Sequence, residues 1–229
     1  MDGSGDLFEE FAGALREIAP DISIVIVRYP PDRPMGYAEL IAYARAQLPT
    51  GQNYVVLGES FSGPVGIMLA AENPPGLVGL ILCCTFARNP APGLWLLRPM
   101  LGWLPTNHLP PALLRFYLMG REASALLQTR LATALSRLGR GVLAARMAAV
   151  LDVDAISQLA QVRVPALYLR ATLDRLIAQG IAQGLRAHLP SLQIADFPAP
   201  HLLLQTRPRE TAARVLKFIE ALGPMGAAA

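Results

Sequence analysis

Cysteine is nearly absent. The 229-residue chain has two, adjacent at Cys83 and Cys84, at the end of an apolar run. Neighbouring cysteines seldom bridge and neither has another partner, so a disulfide framework is excluded. Both read as small core residues in a reducing, cytoplasmic compartment. Histidine is equally sparse: three, at 108, 188 and 201, with no close cluster of His, Cys and Asp, so no metal site is expected. Charged residues make up only 16% against 53% hydrophobic ones, which excludes a disordered chain. Long apolar runs are missing too, despite a mean hydropathy of +0.37. The stretch GLWLLRPMLGWLP (93–105) is interrupted by Arg98 and Pro99, and GVLAARMAAVL (141–151) by Arg146, whereas a membrane span needs about 20 apolar residues. The opening MDGSGDLFEEF is acidic, without a basic or apolar region, and does not read as a signal peptide. No basic run with interleaved aromatics occurs, so nucleic acid is not an expected partner.

The net charge of +3 is unevenly spread. Residues 88 to 160 hold eight arginines against three acids, +5, while the remainder sums to −2. A solvated set of helix faces accounts for this excess. A substrate delivered on an anionic carrier protein or at an anionic lipid interface accounts for it as well.

The length suits one domain with an inserted subdomain. DLFEEFAGALREIA (6–19) has helical periodicity, and ISIVIV (22–27) is a β-branched run expected to form a strand buried on both sides. Helix 37–48, strand 54–58, helix 63–73 and strand 77–85 follow. The rhythm then breaks. Residues 87–160 contain proline-marked turns and helical stretches only, and predict a helical cap inserted into a core of residues 1–86 and 161–229. Strand 165–171, helix 178–189, strand 192–197 and helix 209–222 complete the chain. Such alternation predicts an α/β fold: a mostly parallel sheet with helices on both faces.

In an open parallel sheet, ligands bind beyond the carboxyl ends of the strands. LGESFSGPVG (57–66) sits at such an end, between a strand and a helix. A sharp strand-to-helix turn that lifts one side chain clear needs small residues two before and two after it. Gly58 and Ser62 meet that need around Ser60, and Gly63 eases the helix onto the sheet. The rival register, with Ser62 raised, puts Pro64 where a small residue is required.

On Gly58-Glu59-Ser60-Phe61-Ser62 the sequence resembles the α/β-hydrolase family, whose elbow reads G-x-S-x-G; serine replaces the second glycine. The resemblance covers residues 1–86 and 161–229. The family's order of serine, acid and histidine implies His201, in DFPAPHLLLQTRP after the last strand, as the base. It implies Asp174, just past strand 165–171, as the acid, with Asp196 as competitor. It further implies a carboxylic-ester hydrolase, esterase- or lipase-like, with no cofactor and a small-molecule or acyl ester as substrate. The backbone N–H of Phe61 would supply one oxyanion donor and Met1 the other. Thioesterase or acyltransferase activity, or a catalytically inactive binding protein on the same fold, remains open. In the family a strand and a Pro-Gly or His-Gly loop precede the counterpart of MDGSGDLF. The resemblance therefore leads to the expectation that Met1 is not the natural start, or that the chain is a truncated relative.

Overall fold

The computed structural model describes residues 3–100, 110–120 and 124–223. After a 3-10 turn at Asp6–Phe8 come α1 (Glu9–Ile18), α2 (Tyr37–Arg45) and β1 (Tyr54–Glu59). A 3-10 turn at Ser60–Ser62 leads into α3 (Gly63–Ala71), followed by β2 (Leu77–Cys83). The long β2-to-β3 connection holds a 3-10 segment at Pro92–Met100, α4 (Pro111–Leu114), a π turn at Arg115–Met119, α5 (Ala125–Ser136), α6 (Val142–Asp152) and α7 (Ile156–Leu159). The chain closes with β3 (Ala166–Ala171), α8 (Ile181–His188), β4 (Gln193–Phe197), α9 (Leu203–Thr206) and α10 (Pro208–Ala221).

The four strands form one parallel sheet in the order β1-β2-β3-β4. Side-chain alternation divides the core between its two faces. Ile81, Cys83, Leu167 and Leu169 pack against Phe11 and Leu15 of α1 and Val215 and Phe218 of α10. Leu80, Leu82, Ala166 and Tyr168 pack on the other face against Ile67 and Ala70 of α3 and Leu185 of α8. A helix apolar on all sides must be buried all round. Accordingly α3 turns Val65 and Leu69 away from the sheet, onto Leu40, Ile41 and Ala44 of α2. Pro208 opens α10, where its missing N–H has no helical partner to lose.

The run 22–27 departs from expectation. It forms no regular element and joins no strand, and from 22 to 26 it alternates half-buried and exposed residues, with Val25 60% exposed. β-branched composition favours an extended backbone, but a strand also needs a neighbour to complete its hydrogen-bond ladder. Among the described residues β1 pairs only with β2, and 22–27 is paired with neither. Just beyond it the Tyr29 N–H donates to the Gly3 carbonyl at 2.9 Å.

Both ends of the β2-to-β3 connection are pinned together. Arg88 and Asp154 form an antiparallel bridge. The Ala155 N–H donates to the Ala87 carbonyl at 2.7 Å, and the Asn89 N–H to the Val153 carbonyl at 3.1 Å.

Candidate functional site

β1 ends in a turn so tight that Ser60 takes φ = 50°, a left-handed conformation unusual for serine. The turn is closely packed on both sides of this serine. A Cβ on Gly58 would lie 2.6 Å from the Ser62 carbonyl oxygen, and one on Gly63 would lie 1.9 Å from Thr85 Oγ1. Strand, turn and the following strand are thus in contact, and the Ser60 side chain is the one projected beyond the sheet edge.

Two further loops converge on that hydroxyl. The β4-to-α9 loop brings His201 Nε2 to 2.8 Å from Ser60 Oγ. The loop after β3 brings Asp174 Oδ2 to 2.7 Å from His201 Nδ1. The imidazole and carboxylate side chains are only 3% and 2% exposed. A carboxylate accepts, so Nδ1 carries the proton and Nε2 is left to accept from the serine hydroxyl. The second oxygen, Asp174 Oδ1, accepts from the Leu176 and Ile177 N–H groups at 2.7 and 2.9 Å. Two backbone donors on one side and an imidazole on the other fix the carboxylate's orientation.

The other sequence candidates lie elsewhere. Asp196 is bound by both its oxygens to Arg170, each at 2.6 Å, on the half-exposed outer strand. That guanidinium holds its carboxyl below the usual carboxylate range. His188 is exposed at the end of α8. His108 and Met1 lie outside the described residues. Cys83 and Cys84 are free and buried, and burial pushes the Cys83 thiol well up. Phe61, the residue after Ser60, is buried, with its ring stacked on Tyr37 at 5.1 Å between centroids. Its carbonyl accepts from the Tyr37 hydroxyl at 2.9 Å. Burial drives the Tyr37 phenol well above its ordinary value, with Tyr29 adding to the shift, so it stays a neutral donor.

Three supports escaped the sequence reading. The Thr85 hydroxyl donates a short hydrogen bond to the Ser60 carbonyl. Tyr168 grips Thr85 twice, accepting from its N–H at 3.0 Å and donating to its carbonyl at 2.7 Å. Behind the turn, Gln205 Nε2 donates to Glu59 Oε2 at 3.0 Å, which couples the residue before Ser60 to the helix after His201. Thr85 stands just past β2, on the same sheet edge as Ser60.

Among the described residues no group of three or more His, Cys, Asp or Glu side chains is arranged to hold a metal ion. No helix among them is long and apolar enough to cross a membrane.

A model of the alpha/beta hydrolase family matches residues 3–214. Among solved structures, the enol-lactonase from Burkholderia xenovorans is similar with a TM-score of 0.80 at 16% identity, over 96% of this chain and 88% of that one. A thermophilic esterase from Thermogutta terrifontis has a TM-score of 0.77 at 18% identity, over 94% and 86%. A hydrolase from Pseudomonas aeruginosa has a TM-score of 0.67 at 26% identity, over 83% and 74%. None of the curated proteins matches the sequence.

Proposed function

This chain belongs to the alpha/beta hydrolase family, and from that premise we propose that it hydrolyses carboxylic esters through an acyl-enzyme formed on Ser60. The observation that carries the reading is the continuous chain of hydrogen-bond distances from Ser60 Oγ through His201 to Asp174, 2.8 and 2.7 Å. A serine hydroxyl alone is a weak nucleophile, and an imidazole with a free acceptor nitrogen activates it. In this reading Ser60 Oγ attacks the ester carbonyl as His201 Nε2 takes its proton. The carbonyl oxygen becomes an oxyanion, and the N–H of Phe61 is one donor to it; Met1 is the proposed second. His201 then returns the proton to the leaving alcohol, and the acyl group remains on Ser60. Water, deprotonated by the same imidazole, attacks the acyl-enzyme, and collapse frees the acid and restores the hydroxyl. Asp174 does not take a proton. It fixes the tautomer and stabilises the imidazolium that forms at each step.

Residues 87–160 serve in this reading as a cap whose inner face shapes the acyl pocket. Two contacts support the placement. The Leu202 N–H, beside His201, donates to the Leu118 carbonyl at 3.0 Å. Arg175, beside Asp174, donates to the Phe116 carbonyl at 3.0 Å.

The test is covalent labelling with a fluorophosphonate together with turnover of a short soluble ester. Wild type should label and turn over. Ser60→Ala should do neither. His201→Ala and Asp174→Ala should lose on the order of a thousandfold or more in kcat while melting near the wild-type temperature. Absence of labelling in well-folded wild type would favour a binding protein built on this fold. Wild-type rates in His201→Ala would refute the assignment. Faster turnover of a matched thioester than of the ester would move the substrate class to thioesters.

A further inference from the structure

Of the nine large apolar side chains exposed among the described residues, five lie on two segments, while Ile18, Val25, Leu96 and Leu126 lie elsewhere in the chain. Leu113, Phe116 and Tyr117 of the α4 and π-turn segment, and Leu173 and Leu176 of the loop after β3, are exposed by 39% at Tyr117 up to 59% at Leu173. The two segments are far apart in sequence but clipped together. The Arg175 guanidinium lies 4.1 Å from the centroid of the Phe116 ring and bonds the Phe116 carbonyl. Phe116 and Tyr117 form an edge-to-face pair at 5.1 Å. The face is continuous with the site. Leu173 and Leu176 flank Asp174, and the carbonyl of Leu118, on the π turn, receives the Leu202 N–H next to His201.

Among the described residues of the two segments, the exposed charge has one sign. Among the described residues of 110–120 and 172–180, Arg115 and Arg175 are exposed, and the one acid, Asp174, has its carboxylate buried against His201. Contiguous apolar side chains in water mark an interaction surface. Aromatic rings with a polar tip and guanidinium groups on apolar ground suit a boundary between hydrocarbon and anionic headgroups. A lipid surface uses both features at once, apolar side chains entering hydrocarbon and guanidinium groups meeting anionic headgroups; an acidic carrier protein is the rival that the test separates.

We propose that this face seats the protein on an anionic lipid surface, so that ester chains pass from the surface to Ser60 without crossing bulk water. The proposal rests on the ester-hydrolase reading for its purpose but not for its test. Ser60→Ala protein is floated with vesicles of phosphatidylcholine alone and with vesicles containing about one third phosphatidylglycerol; two basic side chains at the surface predict roughly thirtyfold stronger partitioning to the latter. Added salt should weaken it. In the same background Phe116→Ser with Leu173→Ser should lower partitioning about tenfold or more, since each withdraws a large apolar side chain from lipid. Its melting temperature controls for folding, and if that pair unfolds, Arg115→Glu takes its place with a loss in the same direction. Equal binding to both vesicle types, no binding, or unchanged binding by the variants would overturn the proposal. Retention by an acidic acyl-carrier protein but not by vesicles, or a wild-type dimer dissolved by the double substitution, would also overturn it. Failure of the ester-hydrolase reading would instead appear as absent turnover of the short soluble ester by wild type, with vesicle binding intact.

Discussion

A left-handed serine costs on the order of 1–3 kcal/mol and persists only where its surroundings hold it. At Ser60 the restraint acts on the carbonyl, through Thr85, and Thr85 is itself gripped by Tyr168. Thr85→Val keeps the shape and removes the donor. It should lower kcat about fivefold to tenfold, the equivalent of one net hydrogen bond of about 1 kcal/mol, with little change in KM. Thr85→Ser should restore most of the rate, because the hydroxyl is what the serine carbonyl needs. A Thr85→Ser chain as slow as Thr85→Val would show that the methyl packing, not the bond, matters. The residue scale also shows the reach of local reading. Gly58, Ser60 and Gly63 were legible because steric demand at a strand-to-helix turn is written in adjacent residues. Thr85 was not, because its bond to Ser60 spans 25 positions and nothing in a threonine at the end of a strand announces its acceptor.

Among the elements, strands were legible where their neighbours exist. The apolar runs at 54–58, 77–85 and 165–171 became β1, β2 and β3, with ends shifted by a residue or two. The run at 22–27 has equally good β-branched composition but no ladder, a property of its surroundings and not of its own residues. The outer strand β4 shows how an element can also be held by charge. Arg170 of β3 and Asp196 of β4 are register partners, and their side chains form a two-point pair across the strands. The Asp196 carboxyl is depressed by its hydrogen bonds to Arg170. Its stabilisation is therefore full above the carboxyl's unfolded pKa and disappears as pH falls through the lower folded pKa. Asp196→Asn should reduce stability at neutral pH by about 1 kcal/mol or less, since the pair is partly exposed. The difference from wild type should close in acid. Urea unfolding of both proteins across that range measures it; a difference that widens in acid would contradict the assigned sign.

For the molecule as a whole, the α/β class follows from alternation alone, and the helices described between β2 and β3 from the absence of strand-like runs there. The facing of Leu173 and Phe116 could not be foreseen, because which apolar residues stay outside depends on how distant segments meet. One feature of the whole chain reaches beyond chemistry. The pinch formed by Ala87, Arg88 and Asn89 against Val153, Asp154 and Ala155 closes the long connection at its base, next to β2. Loss of order beyond such a closed base does not have to propagate into the sheet, so cooperativity can break there. The amides of α5 and α6 should then share one opening event of lower free energy than the amides of β2 and β3. In native-state hydrogen exchange at low denaturant, the former should exchange as a group while the latter wait for global unfolding. Substituting Asn89 by Ala, which removes its side-chain bond to the Leu151 carbonyl at 3.0 Å, should speed the first group and leave the second unchanged. The molecule would then carry two stabilities in one chain, with the boundary between them set by three backbone positions on each side.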